Sequence, residues 1–210
     1  MQVELIAITR YLKDDGGPEA LIERAGRVCY RSAGRGDPAA FLRARLQEGH
    51  ESIIEHAAAT FAVSGISRAC SHQLVRHRIA SYSQESQRYV DLADPEWVLP
   101  EAIAQDPEAR RTFEALLEEV QATYRTLREQ GIRKEDARFV LPNATATRIV
   151  VTMNFRELRH FFKIRITPEA QWEIRRMAIA MLEAVAPQAP TLFGEQLETL
   201  RERYPHFWEL

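Results

Sequence analysis

The side chains with most to offer chemically fall between positions 73 and 88: Gln73, Arg76, His77, Arg78, Ser81, Ser83, Gln84, Glu85, Ser86, Gln87 and Arg88. Successive side chains on a helix lie about 100° apart, so Arg76 and Arg78 diverge by about 200° and cannot share a face. A helix that carries them must end near them. There the two guanidiniums can reach different anionic groups, one on each side, and the serines and glutamines offer neutral donors and acceptors to a planar heterocycle. The same residues would also serve as a solvated basic helix end neutralised by Glu85 and water.

The elements that must position this cluster can be read from periodicity and stop signals. Alternation across Val3, Leu5 and Ala7 predicts a first strand. Two helices follow, one opened by Pro18 and running to about Tyr30, the other opened by Asp37-Pro38 and running from Ala39 to Gln47 with Gly49 just beyond. Residues 57–63 (AAATFAV) read as a buried strand. Ile66 to about His77 reads as a helix with Arg68, His72 and Arg76 on one stripe. From Ser81 to Arg88 the apolar period fails and a loop is expected. A long amphipathic helix opens at Asp106-Pro107 and closes at Gly131. A shorter helix covers Arg133 to Leu141, and the β-branched run from Thr145 to Met153 predicts a strand. Asn154 is placed to cap a helix to about Ile164, and Thr167-Pro168 to start the last long one, to about Val185. The pattern is helix-rich α+β, with no repeat or linker, so one domain over 1–210 is expected.

Composition narrows the function classes. The 210 residues carry 28 basic and 30 acidic side chains, a formal charge of −2 that argues against a polyanion binder of the basic-tail kind. Lysine stands only at 13, 134 and 163, and all other basic residues are arginine, whose planar fork suits phosphate and carboxylate. Cys29 and Cys70 form no CxxC and no zinc-finger spacing, which points to a reducing, cytoplasmic setting without a metal. No targeting segment and no run near the ~20 apolar residues of a membrane span is visible. Gly34 and Gly36 begin a GxGxxG pattern whose third position is Ala39, which disfavours a dinucleotide-type turn. After His50-Glu51, H-E-x-x-H would need histidine at Ile53, so that zinc site is excluded, and His50, Glu51, Glu55 and His56 are better read as polar residues before a strand.

The order of the residues says more than their types. Arg76-His77-Arg78, seven residues, then Ser86 matches the whole R-H-R-x7-S signature of the flavin-dependent thymidylate synthases, and the chain resembles that family from about Arg27 to Glu173. The shared stretches include HESIIEH (50–56), Gln73, QRY (87–89), ARFVLP (137–142), Asn154-Phe155-Arg156, and Arg165 followed by AQWEI (170–174).

The resemblance implies methylation of dUMP to dTMP, with carbon from methylenetetrahydrofolate and reducing equivalents from NADPH passing through bound FAD. It implies FAD contacts at Ser52, Arg76, His77, Arg78, Gln84, Asn154, Phe155, Arg156 and His160. Position 84 carries glutamate in some relatives, and position 160 asparagine. It implies that dUMP is held by Gln73, Arg76, Gln84, Glu85, Ser86, Gln87, Arg88, Arg138 and Arg165. It also implies a small, mostly antiparallel sheet and a homotetramer whose sites use residues of several subunits.

Methylation at C5 of uracil needs that carbon made nucleophilic. A thiolate adding to C6 would require a cysteine in an electropositive, accessible place. Cys29 is expected in a helix core and Cys70 nearer the surface, away from any implied nucleotide contact. Ser86 has no recognisable base to activate it and reads as a hydrogen-bond partner of the pyrimidine. The remaining route is electronic: a guanidinium against N3 and its adjacent carbonyl stabilises the deprotonated ring, and Arg165 is the catalytic candidate carried over from the family. A nucleotide- or RNA-binding module using the arginine cluster without flavin is the alternative from another class, although no aromatic RNP-like strand supports it.

Overall fold

The computed structural model of the chain describes residues 1–13, 16–32 and 36–209, so Gly34 of the partial glycine pattern lies outside the described residues. Four strands form a small antiparallel sheet in the order β1-β2-β4-β3: β1 is Gln2–Ile8, β2 Ala58–Ser67, β3 Ala80–Gln84 and β4 Ala146–Asn154. Register is fixed by pairs such as Thr9 N–H on the Ala58 carbonyl (2.9 Å) and Thr60 Oγ1 against Thr152 Oγ1 (2.9 Å). The helices are α1 (Gly17–Tyr30), α2 (Pro38–Gln47), α3 (Arg68–Leu74), α4 (Glu101–Ala104), α5 (Pro107–Glu129), α6 (Lys134–Ala137), α7 (Phe155–Arg165), α8 (Trp172–Val185) and α9 (Glu195–Arg203). The helix-rich α+β class expected from periodicity is what the chain adopts.

The chain divides into two compact units. One comprises Met1–Gln2, Val63–Val75 and Ser83–Ile149; the other comprises Val3–Ala62, Arg76–Tyr82 and Val150–Leu210. In the first, α5 starts where Asp106 Oδ1 accepts the Glu108 and Ala109 amides, and its buried Tyr124 packs with Leu92 and Ala137. Tyr124 is not stranded there, because its hydroxyl accepts the Leu92 amide (3.3 Å). In the second, α7 begins where Asn154 Oδ1 accepts the Glu157 amide (2.9 Å). The inward side chains of α7 join an aromatic core of Phe155, Phe161, Phe162 and Phe193, all fully buried.

Three expected boundaries move. The helix expected from Ile66 to His77 is only α3: Ile66 and Ser67 finish β2, and Ser67 Oγ caps α3 through the Cys70 amide (3.0 Å). Ser81 to Arg88 is not all loop, since Ala80–Gln84 pairs with β4 as the edge strand β3. Its alternation is made by Ala80, Tyr82 and Gln84 turned inward, a face too polar to show as an apolar period. The last long helix starts at Trp172, where Gln171 Oε1 accepts the Glu173 and Ile174 amides. The Thr167-Pro168 segment is instead a turn held by Arg175 Nη1 on the carbonyls of Thr167, Pro168 and Ala170.

Candidate active site

Within the unit that contains α7, the R-H-R triplet lies just past the end of α3, with Arg76 and Arg78 exposed and His77 95% buried. Among the described residues neither arginine forms an ion pair. The helix ends before the triplet, at Leu74, and leaves both arginines exposed. His77 turns inward against α7: its Nδ1 lies 3.0 Å from Glu157 Oε1, and its Nε2 accepts from Arg165 Nε at 3.1 Å. Phe161 meets the imidazole edge-on at 4.9 Å between ring centres. Glu157, Phe161 and Arg165 are four residues apart, so the helical repeat places all three on one stripe facing one imidazole. The Tyr82 hydroxyl donates to the His77 carbonyl (2.6 Å), fixing the main chain as well.

Burial pushes the His77 pKa below the ordinary histidine value. Glu157 pulls it up, and the Arg165 guanidinium and His160 reinforce the downward shift. Burial, with the Glu157 charge, raises that of the Tyr82 phenol. Of the residues implied to hold FAD, His77 therefore has both ring nitrogens spent inside the protein. Asn154 spends its carbonyl oxygen on the α7 cap, and Phe155 is core, 4.8 Å from Phe193 between ring centres. Ser52 and Arg156 are exposed, and Arg156 is held by Glu51 (3.6 Å) and Glu55 (2.5 Å) of the 3-10 turn Glu51–His56. Those two carboxylates thus have a cation for partner, and among the described residues no group of three His, Cys, Asp or Glu is placed to hold a metal. His160 is exposed and lines a cavity of about 540 Å³ with Arg43, Arg159, Lys163 and Arg203.

In the other unit lie the implied dUMP residues other than Arg76 and Arg165. The Gln84 amide donates to Ser71 Oγ (2.9 Å) and Thr147 Oγ1 (3.3 Å), which anchors β3. Gln73 and Gln87 are half-buried, Gln73 in the last turn of α3. Ser86 makes a tight turn, its Oγ accepting the Arg88 amide (3.2 Å) and its carbonyl the Val90 amide (2.9 Å). Arg88 Nε binds Glu135 Oε2 (3.0 Å), Arg133 takes the other oxygen (2.5 Å), and Arg138 Nε binds the Glu135 carbonyl (3.1 Å).

Sequence reasoning missed two members. Arg68 Nη1 reaches the Glu85 carbonyl (3.4 Å), and burial together with the nearby Arg138 lowers its pKa while Glu85 opposes this. In the sequence Arg68 stands out only as part of a helical stripe. Glu157 carries one signal there, its four-residue spacing to Phe161 and Arg165.

The cysteine expectations are reversed. Cys70 is fully buried and Cys29 is exposed, and neither is in a disulfide. The buried stripe of α1 runs Pro18, Ile22, Gly26, and Cys29 falls past it in the last turn, whereas Cys70 shares the inward face of α3 with Ser71 and Leu74.

The fold is helix-rich α+β, and several of its arginines, Arg76, Arg78 and Arg88 among them, are exposed, a chemistry suited to anionic groups. Residues 9–191 match the family model described as thymidylate synthase complementing protein. A flavin-dependent thymidylate synthase of Geobacter sulfurreducens is 47% identical over 201 residues, 90% of this chain and 85% of that one. One of Mycobacteroides abscessus is 43% identical over 224 residues, 93% and 89% of the two chains. A Helicobacter pylori thymidylate synthase X crystallised with FAD and dUMP superposes with a TM-score of 0.78 at 23% identity, covering 94% of this chain and all of that one. The chain belongs to the flavin-dependent thymidylate synthase family.

Proposed function

We propose that the chain makes dTMP from dUMP, taking the carbon from methylenetetrahydrofolate and reducing equivalents from NADPH through FAD. What carries the reading is the arrangement at the R-H-R triplet: two exposed arginines that have no carboxylate partner among the described residues, and between them a buried histidine whose second nitrogen holds Arg165. The residues fit a flavin dinucleotide by donor chemistry, since Arg76, Arg78 and the carboxylate-held Arg156 present guanidinium forks suited to a pyrophosphate. Ser52 is exposed on the 3-10 turn whose Glu51 and Glu55 hold Arg156, and His160 is exposed on α7 with Arg156, while Phe155 could contribute only its main chain. FAD, when bound, supplies the hydride that reduces the transferred carbon to a methyl group.

The chain's own residues bind and polarise. Arg88 and Arg138, with Gln73, Gln84, Glu85, Ser86 and Gln87, are read as the dUMP site, the arginines on phosphate and the neutral groups on the base. Arg165 is read as the catalytic residue, its positive charge stabilising the uracil ring when N3 is deprotonated so that C5 becomes nucleophilic. No thiolate is required. The alternative of a non-catalytic RNA module gains nothing from the geometry, which among the described residues sets no strand rich in aromatic side chains beside the arginines.

We read 1–210 as one such catalytic domain, working in the cytoplasm as a homotetramer with sites shared between subunits. Large exposed apolar side chains, Leu12 at 89%, Phe139 at 83% and Tyr89 at 75%, support burial against further copies. No helix among the described residues is long and apolar enough to cross a membrane. The test is dTMP formation from dUMP, methylenetetrahydrofolate and NADPH under anaerobic conditions, with FAD and after its removal. Product only with FAD is expected. Product without it would refute the flavin route, and no product from folded protein that binds dUMP would reduce the site to a binding one.

A further inference from the structure

We infer that Glu157 is a positioning residue for Arg165, acting through a fixed tautomer of His77. The inference rests on the reading of Arg165 as the group that activates uracil. A guanidinium has donors only, so the 3.1 Å contact from Arg165 Nε requires a lone pair on His77 Nε2. The single proton of the neutral ring then sits on Nδ1, 3.0 Å from Glu157 Oε1, and the carboxylate selects that tautomer by accepting it. Without the carboxylate the ring can place its proton on Nε2. Two N–H groups would then face each other and Arg165 would swing away.

Water cannot readily substitute, because His77 is 5% exposed and Phe161 packs against the ring at 4.9 Å between centres. The groups facing the imidazole are Glu157, His160 and Arg165 from α7, with the Tyr82 phenol on the His77 carbonyl; Arg76 and Arg78 adjoin it in sequence with exposed side chains. A proton gained by His77 would consume the acceptor and set a cation against Arg165. Turnover should therefore fall on the acid side as the imidazole charges, and Glu157, which favours the imidazolium, sets where that fall begins.

The experiment compares Glu157→Leu, Glu157→Gln and Arg165→Ala with the wild-type holoenzyme, measuring flavin content, dUMP affinity and kcat against pH. Glu157→Leu should keep flavin and dUMP binding and lose about a hundredfold in kcat, as small misplacements of a reacting group do. Glu157→Gln, whose amide oxygen still accepts from Nδ1–H, should recover most of that turnover and shift the acid limb to lower pH. Wild-type turnover in Glu157→Leu would overturn the inference, as would an acid limb in Glu157→Gln that coincides with the wild type. If Glu157→Leu loses its flavin, the glutamine variant's pH profile decides. Arg165→Ala separates the two levels: its inactivity beside a fully active Glu157→Leu sinks only this inference, whereas an active Arg165→Ala sinks the reading beneath it.

Discussion

Replacing Arg138 with glutamine should weaken dUMP binding by about ten- to a hundredfold and leave deoxyuridine binding unchanged, from the usual 1.5–3 kcal/mol of a hydrogen bond to a charged group. The surroundings of Arg138 support that proposal. Its Nε is spent on the Glu135 carbonyl (3.1 Å), which fixes the direction of the guanidinium. Its charge acts unfavourably on Arg68, an effect that Glu85 opposes, and the Glu135 carboxylate is already paired with Arg88 and Arg133. A phosphate of nearly two negative charges would resolve that repulsion, so binding gains both a fork and a relieved neighbour. Glutamine loses both. Stability should hardly change, because the lost bond of about 1 kcal/mol is offset by removing a like charge beside Arg68. Calorimetric titration with dUMP and with deoxyuridine, at several salt concentrations, separates the contributions, since exposed phosphate contacts weaken with ionic strength. Equal loss for both ligands, or none for dUMP, would refute the assignment of Arg138 to the phosphate.

Cys29→Ala and Cys70→Ala should each retain dTMP formation, and loss of chemistry in either folded variant would restore a thiolate route; Cys70→Ala alone should melt lower, having lost a buried side chain. Gly26→Ala should destabilise by about 1 kcal/mol, because overpacking outweighs the helical gain: a Cβ there would stand 2.9 Å from Phe41 Cε1, on a ring already covered by Arg27 at 4.5 Å, and a higher melting temperature would count against it. His77, with its folded pKa below the ordinary value, makes the unfolded chain bind more protons between the two values. Stability from this group is therefore complete at neutral pH and is lost as pH falls below about 6.5, with a slope of at most ~1.4 kcal/mol per unit. Denaturant titrations of wild type and His77→Gln should diverge in steepness over that range, and parallel curves would contradict the burial argument.

Most of the elements were legible because local signals and tertiary structure agree. Asp37, Asp106 and Asn154 each cap the helix that follows, and Gly131, at φ +83°, closes the turn after α5 as a residue without Cβ must. What escaped was structure whose reason lies elsewhere in the chain. β3 is a strand because β4 offers it an edge and because Ser71 and Thr147 satisfy Gln84, none of which periodicity within 81–88 can show. The start signal at Thr167-Pro168 precedes α8 itself, since Arg175, a turn into the helix, reaches back to hold Thr167 to Ala170 as a turn.

The site divides along the same line. A four-residue signature in contiguous sequence announced Arg76, His77 and Arg78, but it does not show that the chain past α3 leaves the two arginines exposed and the histidine between them buried. The two arginines point outward, and the histidine between them is committed to Glu157 and Arg165, 80 and 88 residues downstream. Chemistry that works through such distant pairs is invisible to a motif, yet a trace of it lies in α7, where Glu157 and Arg165 bracket Phe161 at helical spacing on an otherwise apolar face. Charged residues on the buried stripe of a helix cost energy unless they are paired, so a stripe of this kind requires a partner from another segment. Here that partner is His77, the one buried residue of the triplet.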